Sequence, residues 1–125
     1  MSPVGVMDVR IGVSQFGDDS YVIAADGELD MYTVGPLREL VEGLLGDGAQ
    51  RLLVDLTGVT FVESSSLSIL LEATRALDAR HGRLVIASDD PWVLRAIELS
   101  GLEGTLHVEP SPARAVNELV DGRVG

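Results

Sequence analysis

Two apolar runs, Leu52-Leu53-Val54 with Leu56 beyond Asp55, and Leu84-Val85-Ile86-Ala87, constrain this chain more than any other feature. A strand that is apolar on both faces must be covered on both faces, the condition of an inner strand in a parallel sheet. The first run leads into a helical stripe, Leu67, Leu70, Leu71, Thr74 and Leu77, that begins near Ser64–Ser66 and ends at His81-Gly82, with the glycine suited to a left-handed terminal position. The second leads into a helix opened by Asp90 as N-cap with Pro91 behind it and closed by Gly101.

The same alternation extends both ways. Asp8–Gln15 places Val9, Ile11 and Val13 on one face and Arg10, Gly12 and Ser14 on the other, a strand with one wet side. Gly17-Asp18-Asp19-Ser20 is turn chemistry, and Tyr21–Ala25 follows as the second strand of an antiparallel hairpin. Gly27–Thr33 reads as a loop. A helix then carries Leu37, Leu40, Val41, Leu44 and Leu45 on one stripe, with Thr33 as N-cap and Gly46-Asp47-Gly48 as its stop. Thr57–Ser66 reads as a second loop anchored by Val59, Phe61 and Val62. Leu106 and Val108 make a short last strand, and Ser111-Pro112 opens a final helix through Val120. Val4–Met7 and Asp121–Gly125 read as ragged ends. The order ββαβαβαβα implies a single α/β domain over residues 1–125, with its core at about 8–120 and a mixed, mostly parallel sheet. Crossovers that all run in one direction gather the helices mainly on one face, although the doubly apolar inner strands fit that arrangement less well.

Composition narrows the chemistry. Nine basic residues, all arginine, stand against twenty acidic ones, for a net charge of −11. Without lysine there is no Walker-type phosphate loop, Schiff base or lysine general base. The acidic surplus argues against a nucleic-acid partner, and the lack of cysteine removes disulfides and thiolate ligands. The first thirty residues lack the basic start and apolar run of a signal peptide, and no apolar run reaches the ~20 residues of a membrane helix. A soluble, cytoplasmic protein without a membrane partner is expected. His81 and His107 are isolated, no Gly-x-Ser-x-Gly elbow surrounds a serine, and Asp89-Asp90 reads as turn and cap; no catalytic residue, metal or cofactor is expected. Trp92 is expected to pack in the core or at the rim, and Arg75, Arg80 and Arg83 to form a solvated helix end.

In a parallel sheet the loops at the strand carboxyl ends gather on one rim, where open α/β folds place their sites. Here these are Gly27–Thr33 and Thr57–Ser66. The second runs Phe61-Val62-Glu63-Ser64-Ser65-Ser66-Leu67 into a helix. Three hydroxyls there have a plain explanation as N-caps. They also suit a regulatory phosphoacceptor, because a helix N-terminus welcomes negative charge.

Gly27-Glu28-Leu29-Asp30-Met31-Tyr32-Thr33 with Leu37-Arg38, then Leu53 to Leu67, then Leu94-Arg95-Ala96-Ile97-Glu98-Leu99-Ser100-Gly101-Leu102 resemble the three conserved blocks of the STAS domain. As a short chain, it most resembles the anti-sigma factor antagonists within that family. The resemblance implies a non-enzymatic switch. The unphosphorylated form would bind an anti-sigma factor that is also a serine kinase, freeing the sigma factor; phosphorylation would break the complex and a serine phosphatase would reset it. Carried over by position, the phosphoacceptor is Ser64, with Ser65 second, and Glu28, Asp30, Thr33, Glu63, Ser65, Ser66 and Leu67 are partner-binding. Unmodified, the Ser64 hydroxyl would cap the helix, leaving Leu67 to pack against the partner. Glu63 stands where the family usually has aspartate, and Ser66 where it usually has glycine, a strained exchange if that position needs positive φ. The alternative is a STAS docking subunit of a stress-signalling or transport assembly that is never phosphorylated.

Overall fold

The computed structural model describes residues 9–121, with the Asp121 side chain left out. Five strands, β1 (Val9–Phe16), β2 (Ser20–Leu29), β3 (Arg51–Val62), β4 (Arg83–Ala87) and β5 (Val108–Glu109), form one sheet in sequence order. β1 and β2 are antiparallel, and every later pairing is parallel. The helices are α1 (Val34–Gly46), α2 (Ser64–Asp78), α3 (Pro91–Leu99) and α4 (Pro112–Asp121). The expected element order is the observed one. Of the expected ragged ends, Val4–Met7 and 122–125 lie outside the described residues, as does Asp8 of the first strand, while Asp121 is the last residue of α4.

The doubly apolar strands have a direct explanation. Leu52, Val54 and Leu56 of β3, with Leu84 and Ile86 of β4, belong to the large core that also takes Leu37 and Val41 of α1, Leu67 and Leu70 of α2, and Val93 and Ile97 of α3. The alternate residues Leu53, Val85 and Ala87 point the other way and are covered by Ala115 and Leu119 of α4. Three helices thus share one face and the fourth closes the other, chiefly over β3 and β4, with Phe16 and Val22 packed beside it. Each large apolar side chain taken fully out of water contributes about 1.5–3 kcal/mol, so both layers matter to folding.

Both expected loops are shorter than the sequence implied. Gly27–Leu29 belongs to β2 and Thr57–Val62 to β3, and these ends pair with each other: Gly27 with Val59, Glu28 with Phe61, Leu29 with Val62. Two register shifts, between Ala24 and Asp26 and between Gly27 and Glu28, break the period-two pattern that would have revealed the strands. Gly58, inside the second expected loop, lies where any Cβ would run into the Asp26 carboxylate.

Other corrections concern element ends. The left-handed residue after α2 is His81 (φ 62°), not Gly82, whose missing Cβ instead lets the chain pass against the Gln50 carbonyl. Arg80 is no free helix end: its Nη2 donates to the Leu45 carbonyl at 2.9 Å, tying α2 to the end of α1. β5 contains Val108 but not Leu106, which is buried in the preceding turn. Trp92 is 75% exposed, and Phe61, expected as an anchor, is 44% exposed. The caps of α3 and α4 are as expected: Asp90 Oδ1 accepts from Trp92 N–H and Val93 N–H, and Ser111 Oγ accepts from Arg114 N–H.

Candidate phosphoacceptor and partner-binding rim

The carboxyl ends of β2 and β3 stand side by side, so the turn after β2 and the start of α2 are built as one unit. Glu63 N–H donates to the Leu29 carbonyl at 2.9 Å, continuing the strand pairing for one more residue. Its side chain then reaches across, and Oε2 accepts from Met31 N–H at 2.9 Å. On the other side of the turn, Asp30 Oδ1 accepts from Tyr32 N–H (2.8 Å) and Thr33 N–H (3.0 Å). Asp30, not Thr33, therefore satisfies the first free backbone donors ahead of α1. Thr33 makes no side-chain cap; its hydroxyl donates to the Glu28 carbonyl at 2.6 Å and accepts from Asp30 N–H at 3.0 Å.

Each of the three serines at the start of α2 has a different environment, and none is an N-cap; that position belongs to Glu63. Ser64 is the first helical residue, is exposed, and its hydroxyl makes no hydrogen bond among the described residues. Only its carbonyl is engaged, by Ser68 Oγ at 3.0 Å. Ser65 is half-buried and its Oγ is fully out of reach of solvent. Ser66 is completely buried and donates to the Leu29 carbonyl at 2.9 Å. Its φ is negative, since His81 is the one non-glycine residue with positive φ among those described. Serine at this position is therefore unstrained and adds a bond between α2 and β2.

The rim brings together Glu28, Asp30, Glu63 and Ser64, as their order along the chain suggested. Thr33 (6% exposed), Ser66 and Leu67 (1%), expected at a partner surface, lie beneath it and hold it in place. The apolar surface comes from elsewhere. A groove of about 650 Å³ runs between the end of β3 and α3, lined by Glu28, Phe61, Trp92, Arg95, Ala96 and Leu99 among others. Leu99 is 72% exposed, and on the other side of Glu63 so are Met31 (64%) and Tyr32 (85%). A signal for part of this was present in the sequence: α3 is Pro-Trp-Val-Leu-Arg-Ala-Ile-Glu-Leu, and its core-facing residues, Val93 and Ile97, leave Trp92, Leu94 and Leu99 unaccounted for.

One titratable cluster was not legible. His107, Glu109 and Glu118 bring ligand-capable atoms within 4.8 Å of one another. Arg83 Nη2 lies against His107 Nδ1 (3.2 Å) and Glu118 Oε1 (3.4 Å), and Arg114 approaches Glu109 at 3.9 Å. The carboxylates are thus balanced by the chain's own guanidinium groups, which clip α4 to β4 and β5.

Comparison with known proteins places this chain in a family. The family model described as "Mlab, STAS domain" matches residues 13–110. An anti-sigma-B factor antagonist of Staphylococcus aureus is 31% identical over 91 residues, 73% of this chain and 84% of that protein. The crystal structure of an anti-sigma factor antagonist from Mycobacterium paratuberculosis superposes with a TM-score of 0.83 at 26% identity, covering 91% of this chain and 96% of that one. The anti-sigma factor antagonist SpoIIAA in its unphosphorylated form gives 0.76 at 22% identity, over 90% and 97% of the two chains. As the Bacillus cell fate determinant in phosphorylated form it gives 0.68 at 20%, over 87% and 98%. These last two similarities speak for the fold. With the sequence blocks, the five-stranded mixed sheet and its four helices all in agreement, the chain belongs to the STAS domain family.

Proposed function

We propose that this protein is an anti-sigma factor antagonist that works as a phosphorylation switch: it binds an anti-sigma factor through the rim, and phosphorylation of Ser64 ends the complex. The observation that carries the reading is the position of Ser64. It is exposed, its hydroxyl is uncommitted, it opens a fifteen-residue helix, and it follows a carboxylate that braces the neighbouring turn. A serine kinase has access to this oxygen and not to the buried oxygens of Ser65 and Ser66. The protein acts by binding rather than catalysis, in the cytoplasm, with the anti-sigma factor as kinase and a separate serine phosphatase to reset it. Among the described residues no helix is long and apolar enough to cross a membrane.

The switch needs little rearrangement of the chain that carries it. A phosphate adds about −1.5 to −2 charge, which the free N–H groups and dipole of α2 tolerate. The partner's surface does not. The added charge sits beside Glu63 and near Asp30, and a phosphate covered by a partner without an arginine opposite carries a large desolvation cost. A loss of about 3 kcal/mol already weakens binding more than a hundredfold.

The test is incubation with ATP and the anti-sigma factor kinase from the same genome, followed by peptide mass spectrometry and a binding assay. One phosphate is expected, on Ser64. Ser64→Ala should bind with or without ATP, and Ser64→Glu should bind poorly. Binding that survives unchanged in both variants would remove Ser64 from the mechanism and favour the docking-only alternative; no binding by the wild type would overturn the antagonist reading itself.

A further inference from the structure

The two edges of the sheet are finished in different ways. At one edge β5 is two residues long, flanked by the His107–Glu118–Arg83 network and followed by Pro110. Short length, charge and proline are the usual means of keeping an edge from pairing with another chain. At the other edge β1 runs for eight residues and, among the described residues, pairs on one side only, with β2. Its register is unbroken from Val9–Gly27 to Phe16–Ser20, so no bulge turns it away. It contains no proline and a single charge, Arg10. Val9 and Ile11 pack against the core, but Val13 on the same face is 49% exposed.

We propose that β1 pairs antiparallel with β1 of a second copy of this chain, joining two sheets into one about a two-fold axis. An isologous contact requires the strand to complement itself, and this one does so with Val13 on the axis. Val13 then faces Val13, Gly12 faces Ser14, Ile11 faces Gln15 and Arg10 faces Phe16, each pair on a common face as antiparallel strands require. Charge complementarity selects this register and this occupant. Arg10 stands opposite Asp26 on β2 yet forms no ion pair among the described residues. In the paired arrangement it meets the ring of the second copy's Phe16, next to Asp18 of the following turn (Asp19 is already held by its own Arg51 at 3.1 Å), and the contact is made twice. Moving the axis to Gly12 sets Arg10 opposite Ser14 and forfeits it. The two-fold turns the second copy's rim in the opposite direction, so both Ser64 sites stay open. The pairing is independent of the antagonist reading.

The chain has no cysteine, so one introduced thiol reports on one position. Val13→Cys replaces an exposed side chain and is expected to form a disulfide-linked dimer under mild oxidation about tenfold faster than Glu42→Cys on the exposed face of α1. By sedimentation, the wild type should show twice the monomer mass at about 100 μM, a concentration at which even a weak contact is populated. Arg10→Glu should be monomeric there, and Arg10→Glu combined with Asp18→Arg should restore the dimer. A wild type that remains monomeric overturns the proposal, including the case where β1 serves a different protein. A dimer unaffected by Arg10→Glu, with Val13→Cys linking no faster than Glu42→Cys, places the contact on another face and overturns it equally.

Discussion

Ser66 is a polar side chain in a fully buried place, and its single bond to the Leu29 carbonyl joins the helix opened by Ser64, the proposed phosphoacceptor, to the strand that ends just before Asp30. Its contribution can be bounded, because the same carbonyl also accepts from Glu63 N–H. Removing the hydroxyl alone leaves Leu29 satisfied, and alanine is the better helix former. Ser66→Ala is therefore expected to cost less than about 1 kcal/mol. Ser66→Gly, which restores the residue usual in the resembling family, loses the bond and also the restriction that a side chain places on the unfolded chain. About 1–2 kcal/mol of destabilisation is expected. Urea melts with unchanged slope would show both effects as midpoint shifts, and a stabilised Ser66→Gly would mean that serine is the strained residue after all. The identity of these residues was readable from the sequence block. Their division into exposed Ser64, occluded Ser65 and bonded Ser66 was not, because it depends on how α2 is rotated against β2, a tertiary property.

At the level of elements, the helices and inner strands were legible where hydrophobic period and end signals agreed, as in Asp90-Pro91 of α3 and the Leu67–Leu77 stripe of α2. The paired ends of β2 and β3 were not, since register shifts and Gly27 and Gly58 disguise a strand as a loop. That misreading hid the groove, whose floor is the end of β3 and whose wall is α3. Trp92 is its largest exposed residue and is held at the first turn by the Asp90 cap. Aromatic anchors of this kind dominate the energetics of protein interfaces. If the partner covers the groove, Trp92→Ala should weaken binding of the anti-sigma factor about tenfold to a hundredfold. Because the side chain is 75% exposed, the thermal midpoint should hardly move. A titration calorimetry measurement beside a melting curve separates the two, and unchanged affinity would confine the interface to the Asp30–Ser64 side of the rim.

Over the whole molecule the charge of −11 is distributed, but three of the rim's half-buried groups, Glu28, Asp30 and Glu63, are negative and close in the fold. Arg95, across the groove, is engaged by Glu98 at 3.5 Å. A field of one sign acts at a distance, so its main effect is on the rate of encounter and not on the lifetime of the complex. Composition alone made the acidity visible without saying where it acts; the parallel topology, by stacking the ends of β2 and β3, gives it a place. Raising salt from about 0.05 to 0.5 M should therefore slow association with a basic partner face by roughly tenfold and leave dissociation nearly unchanged. Glu28→Gln should flatten that salt dependence, whereas Glu72→Gln, exposed on α2 away from the rim, should not. Stopped-flow association rates for the three proteins over a salt series decide the matter. Equal slopes for both variants would mean that the partner senses the total charge of the chain, and the local acidity of the rim would then have no part in recognition.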